Sequence, residues 1–308
     1  MSKILVTGGA GFIGSNLVDA LIKAKHEVAI IDDLSSGKED YLNPEAKFYK
    51  ADVCSDEAKR VFKKESPEYI FHLAAQMDVR KSVEDPVFDN KSNVLGSLNI
   101  YRNALDNNVK KVIFISTGGA LYGDVKEPAN ENVLPNPDSP YAVHKLAAEQ
   151  HLKIFNKLHG LPYSILRLAN VYGPRQYKGG EGAVVAVFTA NAINSEESII
   201  FGDGEQTRDF VYIDDIVSAC CLSMEKGEGV YNIGTGRAVN LFDIIKSIEK
   251  ITQRDFIFRH ESERKGEVRD SVLNAEKAKK ELGWMAQISM EEGIAKTIEW
   301  IKGYKKSL

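Results

Sequence analysis

Residues Ile4-Leu5-Val6-Thr7-Gly8-Gly9-Ala10-Gly11-Phe12-Ile13-Gly14 decide how the rest of the chain is read. They run from a short apolar strand through a glycine turn into the first turn of a helix. Glycines stand at 8, 11 and 14, and Gly9-Ala10-Gly11-Phe12-Ile13-Gly14 also fits the pattern G-x-G-x-x-G. Glycine permits the tight turn, lets the backbone approach a pyrophosphate, and lets the helix pack close to the strand. The helix start then offers unpaired N–H groups and a positive dipole end to phosphate oxygens. Glycine turns between strands and helices are common, so the meaning of this one depends on the rest of the chain.

Beyond the turn, strands and helices alternate regularly. Apolar residues at helical spacing (Ile13, Leu17, Ala20, Leu21, Ala24) predict a helix from Phe12 to Lys25. Glu27-Val28-Ala29-Ile30-Ile31 is an apolar run of strand length that ends at Asp32-Asp33. Further strands are expected from Lys47 to Ala51, ending at Asp52, and from Tyr69 to Leu73, closed by Ala74-Ala75-Gln76. A fifth runs from Lys111 to Ser116, next to Thr117, and a sixth from Leu161 to Arg167. Helices are expected from Asp56 to Lys64, from Pro86 to Asn108, and from Pro140 to His159. Ser139 suits the N-cap of the last, and Pro140 its first helical position. Short apolar strands alternating with helices predict an α/β fold, a doubly wound Rossmann parallel sheet covered on both faces. Ligands of such sheets bind beyond the carboxyl ends of the strands, where Asp32, Asp52, Ala74-Ala75-Gln76 and Ser116-Thr117 collect.

Beyond Val171 the texture changes to glycine-rich loops, as in Tyr172-Gly173-Pro174-Arg175, Gly202-Asp203-Gly204 and Gly234-Thr235-Gly236. This half reads as a smaller C-terminal substrate-binding lobe. Phe210 to Ile213 and Tyr231 to Ile233 look like strands returning to the body. The expected division is residues 1–168 plus about 209–236 for the nucleotide domain, and about 169–208 plus 237–308 for the lobe.

Composition narrows the partners. The 308 residues are 43% hydrophobic and 27% charged, ordinary for a globular protein. The net charge of −4 gives no global positive field for nucleic acid or an anionic membrane, so a small-molecule partner is expected. The three cysteines, Cys54, Cys220 and Cys221, fit neither a metal site nor a disulfide framework, and read as thiols in a reducing cytoplasm. No apolar run approaches the ~18 residues of a membrane span. A strand starting near Lys3 is expected to leave no room for a signal peptide.

Asp32, roughly 20 residues past the glycine turn, stands where an acid meets the adenosine ribose hydroxyls of a dinucleotide. Its charge repels a 2′-phosphate, which favours NAD over NADP. Asp52 and Val53 are candidates for the adenine edge. Tyr141-Ala142-Val143-His144-Lys145 places a tyrosine and a lysine on one helix face. A free tyrosine has a pKa of ~10. A nearby ammonium and a positive nicotinamide ring favour its phenolate, which then takes a proton from a substrate alcohol as hydride leaves carbon. The hydroxyls of Ser116 and Thr117 are placed to relay that proton. His144 points off this face and reads as a packing residue.

These motifs together resemble the extended short-chain dehydrogenase/reductases that act on nucleotide sugars, and within them the UDP-glucose (UDP-galactose) 4-epimerases. The similarity runs from Thr7–Gly14 through His72-Leu73-Ala74-Ala75-Gln76, Asn93, Tyr141 with Lys145, and Arg167-Leu168-Ala169-Asn170-Val171-Tyr172-Gly173 to Arg208-Asp209-Phe210 and Asn232–Gly236. The resemblance implies a cofactor site at Gly8, Gly11, Phe12, Ile13, Gly14, Asp32, Asp33, Ser35, Ser36 and Gly37. It adds Leu73, Ala74, Ala75, Gln76, Asn93 and Ser116, with Tyr141 and Lys145 shared with catalysis. It implies that Asn170 meets the substrate diphosphate, that Arg208 and Arg264 neutralise it, that Ala183, Val184 and Phe201 meet the uridine, and that Glu267 holds its ribose. The implied reaction oxidises the sugar at C4 and returns the hydride to the other face, with Thr117, Tyr141 and Lys145 catalytic and NAD regenerated each cycle.

Two departures stand out. Relatives often carry the relay hydroxyl at the position of Gly118, so the relay is assigned to Thr117, with Ser116 as substitute. Where they often have bulky residues, this chain has Ala169 and Ser271, which predicts a wider sugar pocket that also takes UDP-N-acetylhexosamines. The rival readings are a UDP-N-acetylglucosamine 4-epimerase, a UDP-glucuronate epimerase or decarboxylase, and a non-enzymatic NAD-sensing regulator. A 4,6-dehydratase needs an acid and base beside the relay, where Gly118-Gly119 stand. Relatives dimerise through paired helices, matched here by 92–108 and 141–159, and Leu152, Phe155 and Leu158 are expected on the apolar face of a homodimer.

Overall fold

The computed structural model describes residues 1–125, 127–176, 182–263 and 268–304. The first half alternates as the sequence predicts: β1 (Lys3–Thr7), α1 (Phe12–Lys23), β2 (Glu27–Asp32), β3 (Lys47–Lys50), α2 (Asp56–Glu65) and β4 (Tyr69–His72). Then come α3 (Val79–Glu84), α4 (Pro86–Asn90), α5 (Gly96–Asp106), β5 (Lys111–Thr117), α6 (Pro140–His159) and β6 (Tyr163–Leu168). The second half holds β7 (Asn170–Tyr172), α7 (Val184–Asn194), β8 (Ser198–Phe201), β9 (Thr207–Arg208), β10 (Phe210–Tyr212), α8 (Ile213–Glu225) and β11 (Gly229–Ile233). It closes with α9 (Leu241–Thr252), β12 (Phe258–Glu261), β13 (Asp270–Ser271), α10 (Glu276–Leu282) and α11 (Met290–Tyr304).

Among the described residues, seven strands form one parallel sheet in the order β11-β6-β5-β4-β1-β2-β3. The order reverses between β1 and β4, and that switch point is where a doubly wound sheet binds its ligand. Alternate strand residues feed two cores. Ile4, Val6, Ile30, Phe71 and Ile113 pack in one cluster with Leu17 and Leu21 of α1 and Ile216 of α8. Leu5, Ala29, Ile31, Ile70 and Val112 pack in the other with Val61 and Phe62 of α2, Ile100 of α5 and Leu152 of α6. Both faces are therefore buried, which is why the strands read as unbroken apolar runs.

Three expectations change. The segment from Pro86 to Asn108 is α4, one π turn at Lys91–Leu95, and α5, rather than one regular helix. The wider turn lets Asn93 bond back to the loop after β4. Phe210–Tyr212 pairs with β7 in a separate two-stranded ribbon, while β11 alone returns to the main sheet. Leu152, expected on the outer face of α6, is fully buried in the protomer core and cannot face a partner. The cap of α6 is as read: Ser139 Oγ accepts from the amide of Ala142 at 3.3 Å, Pro140 comes next, and Gly160 ends the helix with positive φ. No helix among the described residues is long and apolar enough to cross a membrane.

At the head of α1 a β-carbon on Gly14 would stand 2.1 Å from the carbonyl oxygen of Gly8. Gly14→Ala is expected to cost about 1–3 kcal/mol of stability through overpacking of backbone on backbone. Thermal unfolding of the variant against the parent checks this.

Candidate active site

The glycine turn is built by close approach. Gly8 has φ +74°, and a β-carbon there would lie 2.7 Å from the amide nitrogen of Ala74. The amides of Leu73 and Ala74 both donate to the carbonyl of Thr7, so the loops after β1 and β4 meet at the switch point. The helix α1 starts at Gly11 with no side-chain cap and no acid in its first turn. Its opening amides, at Phe12, Ile13 and Gly14, suit a phosphate. Asp32, buried at the end of β2, accepts from the amides of Ala10 and Leu34, each at 2.9 Å. Burial raises its pKa, against the pull of those two amides. Gly37 lies against it, since a β-carbon there would be 2.9 Å from Asp32 Oδ1. Asp33 accepts from the amide and hydroxyl of Ser35 and shapes the exposed turn that carries Ser36. Asp52 caps its own turn by accepting from the amide of Cys54, while Val53 is buried and its carbonyl accepts from Asn99. Everything here fits a dinucleotide: a cradle without β-carbons, free helix-start amides, and a buried acid.

The loop after β4 is fixed by a chain of polar groups. Asn93 Nδ2 donates to the carbonyl of Gln76, Asn93 Oδ1 accepts from the amide of Gln76, and Ser97 Oγ donates to the carbonyl of Asn93. With its proton given away, Ser97 must accept from His72 Nε2, at 2.9 Å, so His72 Nδ1 accepts from Thr7 Oγ1 at 2.7 Å. Burial pushes the His72 pKa down to about 3, so the ring stays neutral. Ala75 lies in this loop, half-buried. The hub is Asp89, fully buried, which accepts from Gln76 Nε2, Asn93 Nδ2 and His144 Nδ1. His144 thus packs α6 against α4.

The candidate reacting groups stand near the end of β5. Lys145 is buried, its Nζ donates to the carbonyl of Ile115 at 2.6 Å and lies 4.1 Å from the Phe114 ring centroid. Burial brings its pKa down to about 7, with Glu149 and Asp89 acting against that fall. Tyr141 lies one turn earlier, half-buried, its amide donating to Ser82 Oγ. Thr117 Oγ1 accepts from the amide of Ala120 at 3.3 Å. Ser116 turns its hydroxyl inward: adjacent strand residues face opposite ways, and its buried Oγ donates to Glu149 at 2.6 Å, so that hydroxyl is not placed as the substitute relay.

On the substrate side, a β-carbon on Gly118 would lie 2.5 Å from Leu273 Cδ1, so a side chain there would require the Leu273 side chain to shift. One on Gly119 would face Asn170 Oδ1 at 3.5 Å and Ser271 Oγ at 3.6 Å. The Asn170 amide also adjoins Gly182. Ala169 is buried with the core, its amide donating to the carbonyl of Ile233. Ala183 and Val184 form the start of α7, which has no side-chain cap. Phe201 ends β8. Arg208 Nη1 donates to the carbonyls of Thr207 and Arg269. Arg264 and Glu267 lie outside the described residues. Asp209, whose role the sequence did not reveal, is the organiser of this lobe. It accepts from the amides of Thr235, Gly236 and Leu273 and from the Thr235 hydroxyl. Its signal was present in the run Arg208-Asp209-Phe210 beside Gly234-Thr235-Gly236, but only folding brings the two together.

A buried lysine one turn after a tyrosine is equipment for moving a proton, and a dinucleotide cradle is equipment for moving a hydride. Together they define an enzyme of the short-chain dehydrogenase type. The chain belongs to the NAD dependent epimerase/dehydratase family, whose model matches residues 4–234. It is 41% identical to a putative UDP-glucose 4-epimerase of Methanocaldococcus jannaschii, over 99% of this chain and all of that one. The crystal structure of a UDP-glucose 4-epimerase from Thermotoga maritima with UDP-glucose is 48% identical, with TM-score 0.95 over 98% of this chain and 99% of that one. A UDP-glucose 4-epimerase of Thermus thermophilus in complex with NAD is 36% identical, with TM-score 0.94 and the same coverage.

Proposed function

We propose that this protein is a UDP-glucose 4-epimerase that interconverts UDP-glucose and UDP-galactose through a transient 4-keto sugar. The observation that carries this reading within an epimerase and dehydratase family is the end of β5. Thr117 is followed by Gly118 and Gly119, so the acid and base that would eliminate water are absent there.

NAD fits the residues present, held by the turn from Gly8 to Gly14, by Asp32 and by the loop at Leu73–Gln76, and it supplies reversible two-electron oxidation at the sugar C4. Tyr141 takes the proton of the 4-hydroxyl as the C4–H bond breaks, and returns it when the C4–H bond re-forms on the other face. Lys145 stabilises the phenolate, and Thr117 passes the proton. Asn170, the start of α7 at Ala183–Val184, Phe201 and Arg208 hold the UDP, with Arg264 and Glu267, so that the keto sugar turns over without leaving. Residues 1–168 with about 209–236 serve the cofactor, and the remainder serves the nucleotide sugar. The reducing cytoplasm suits the three unpaired cysteines. The small Ser271 beside Gly119, where relatives often carry a bulky residue, supports extending the substrates to UDP-N-acetylhexosamines.

We also propose a homodimer. Val87, Phe88 and Leu95 on and after α4, with Val143, Ile154 and Leu158 on α6, are exposed apolar side chains that a paired copy would cover. Sedimentation at micromolar concentration is expected to give a dimer; a monomer contradicts it.

The protein without added NAD is expected to turn over UDP-glucose, and also UDP-N-acetylglucosamine. Tyr141→Phe is expected to lose about 10²–10⁴-fold in kcat while bound NAD stays. A coupled assay with cofactor absorbance checks all three; retained activity in Tyr141→Phe removes the base assignment.

A further inference from the structure

Beneath the reacting face of α6 lies a charged pair that the proposed reaction leaves without a task. Glu149 is 0% and Arg167 3% exposed. Arg167 Nε donates to Glu149 Oε1 at 3.0 Å and Nη2 to Oε2 at 2.7 Å, a two-pronged fork. Its Nη1 donates to the Tyr122 hydroxyl, which donates to Asn232. A buried ion pair adds little stability over apolar side chains of similar volume, so its place asks for another use.

That place is specific. Tyr141, Lys145 and Glu149 succeed one another at single-turn intervals on α6. Lys145 Nζ donates to the carbonyl of Ile115, and Ser116, the next residue of β5, donates to Glu149, each at 2.6 Å. Two successive turns of α6 are thus tied to two successive residues of β5, and the next residue of β5 is Thr117. Charge adds to geometry. Burial works against the Lys145 ammonium, and Glu149, then Asp89 of α4, work for it. Also near Lys145 are Tyr141 one turn earlier, His144 beside it on α6, bonded to Asp89, and His72 of β4, which burial keeps neutral. Around Glu149 stand Arg167 and Tyr163 of β6, Tyr101 of α5, and Lys153 of α6.

We propose that Glu149, forked to Arg167 and bonded to Ser116, is a positioning residue for the epimerisation: it acts through Lys145, keeping that side chain cationic and holding Tyr141 in register with Thr117. This rests on the reading of Tyr141 as base and Lys145 as its partner.

The test compares the pH dependence of kcat for the NAD-containing parent and Glu149→Gln with UDP-glucose. Removing an anion beside a buried lysine favours the neutral amine. The alkaline limb, where Lys145 loses its proton, is therefore expected to move to lower pH by about one unit or more, with KM little changed. A merely structural role lowers the melting temperature and the active fraction at every pH but leaves the limb in place, and that result overturns the proposal. Should the unpaired Arg167 keep Glu149→Gln from folding, Glu149→Gln with Arg167→Met no longer strands a guanidinium in the core. The same comparison then applies: a lowered limb supports the proposal, and an unmoved one overturns it. Tyr141→Phe separates the two readings. Activity in that variant removes the base assignment and this proposal with it. Inactivity there, with an unmoved limb in Glu149→Gln, removes only the role of Glu149.

Discussion

Residue 14 must lack a β-carbon, because one would stand 2.1 Å from the carbonyl oxygen of Gly8. That contact seats the start of α1 on the end of β1. Gly8 in turn admits the backbone of Leu73 and Ala74, which bonds to Thr7. The loops after β1 and β4 are therefore drawn together where the strand order reverses, and the cofactor cradle results from that convergence. Because β4 and β5 are neighbours in the same sheet, the end of β5 and the helix face that serves it are set at the mouth of the same crevice.

The interior around that crevice is unusually polar for a sheet covered on both faces. Its buried charged and imidazole groups are held in sets of partners, although the Tyr101 hydroxyl beside His72 has none. His72 bridges Thr7 and Ser97, Asp89 gathers Gln76, Asn93 and His144, Glu149 takes Arg167 and Ser116, and Asp209 gathers the lobe. Losing one partner of such a set strands the other away from water, at a cost of about 3–5 kcal/mol for an ion pair. The return is rigidity: the loop after β4, the strand end at Thr117 and the helix face of Tyr141 and Lys145 are fixed by groups that cannot shift singly.

Most of the fold was legible because its signals are local. Apolar runs, the Ser139-Pro140 start of α6 and the glycines at 8, 11 and 14 each act within a few residues. The sheet is parallel and buried, so its strands announce themselves. The cofactor turn and Tyr141 with Lys145 were visible for the same reason. What the sequence concealed depends on pairing at a distance. Glu149 on α6 reads as one more surface charge until Arg167 folds beside it, and Asp89 reads as a helix-face acid until Gln76 and His144 close over it. Ser116 and Thr117 look equivalent as hydroxyls, and only strand alternation sends one to Glu149 and leaves the other as the candidate relay. The π turn at Lys91–Leu95 has no signature in propensity, and it goes with a contact distant in sequence, the bond from Asn93 to the Gln76 backbone.

The central claim is that this cradle and helix face oxidise a sugar at C4 and restore the same hydrogen to the same carbon. UDP-glucose carrying deuterium at C4 tests it directly, by mass spectrometry and NMR of the UDP-galactose formed without added cofactor. The account predicts that the deuterium stays at C4. Exchange of that deuterium for solvent hydrogen contradicts it, since the hydrogen would then have travelled as a proton rather than as a hydride kept within the site.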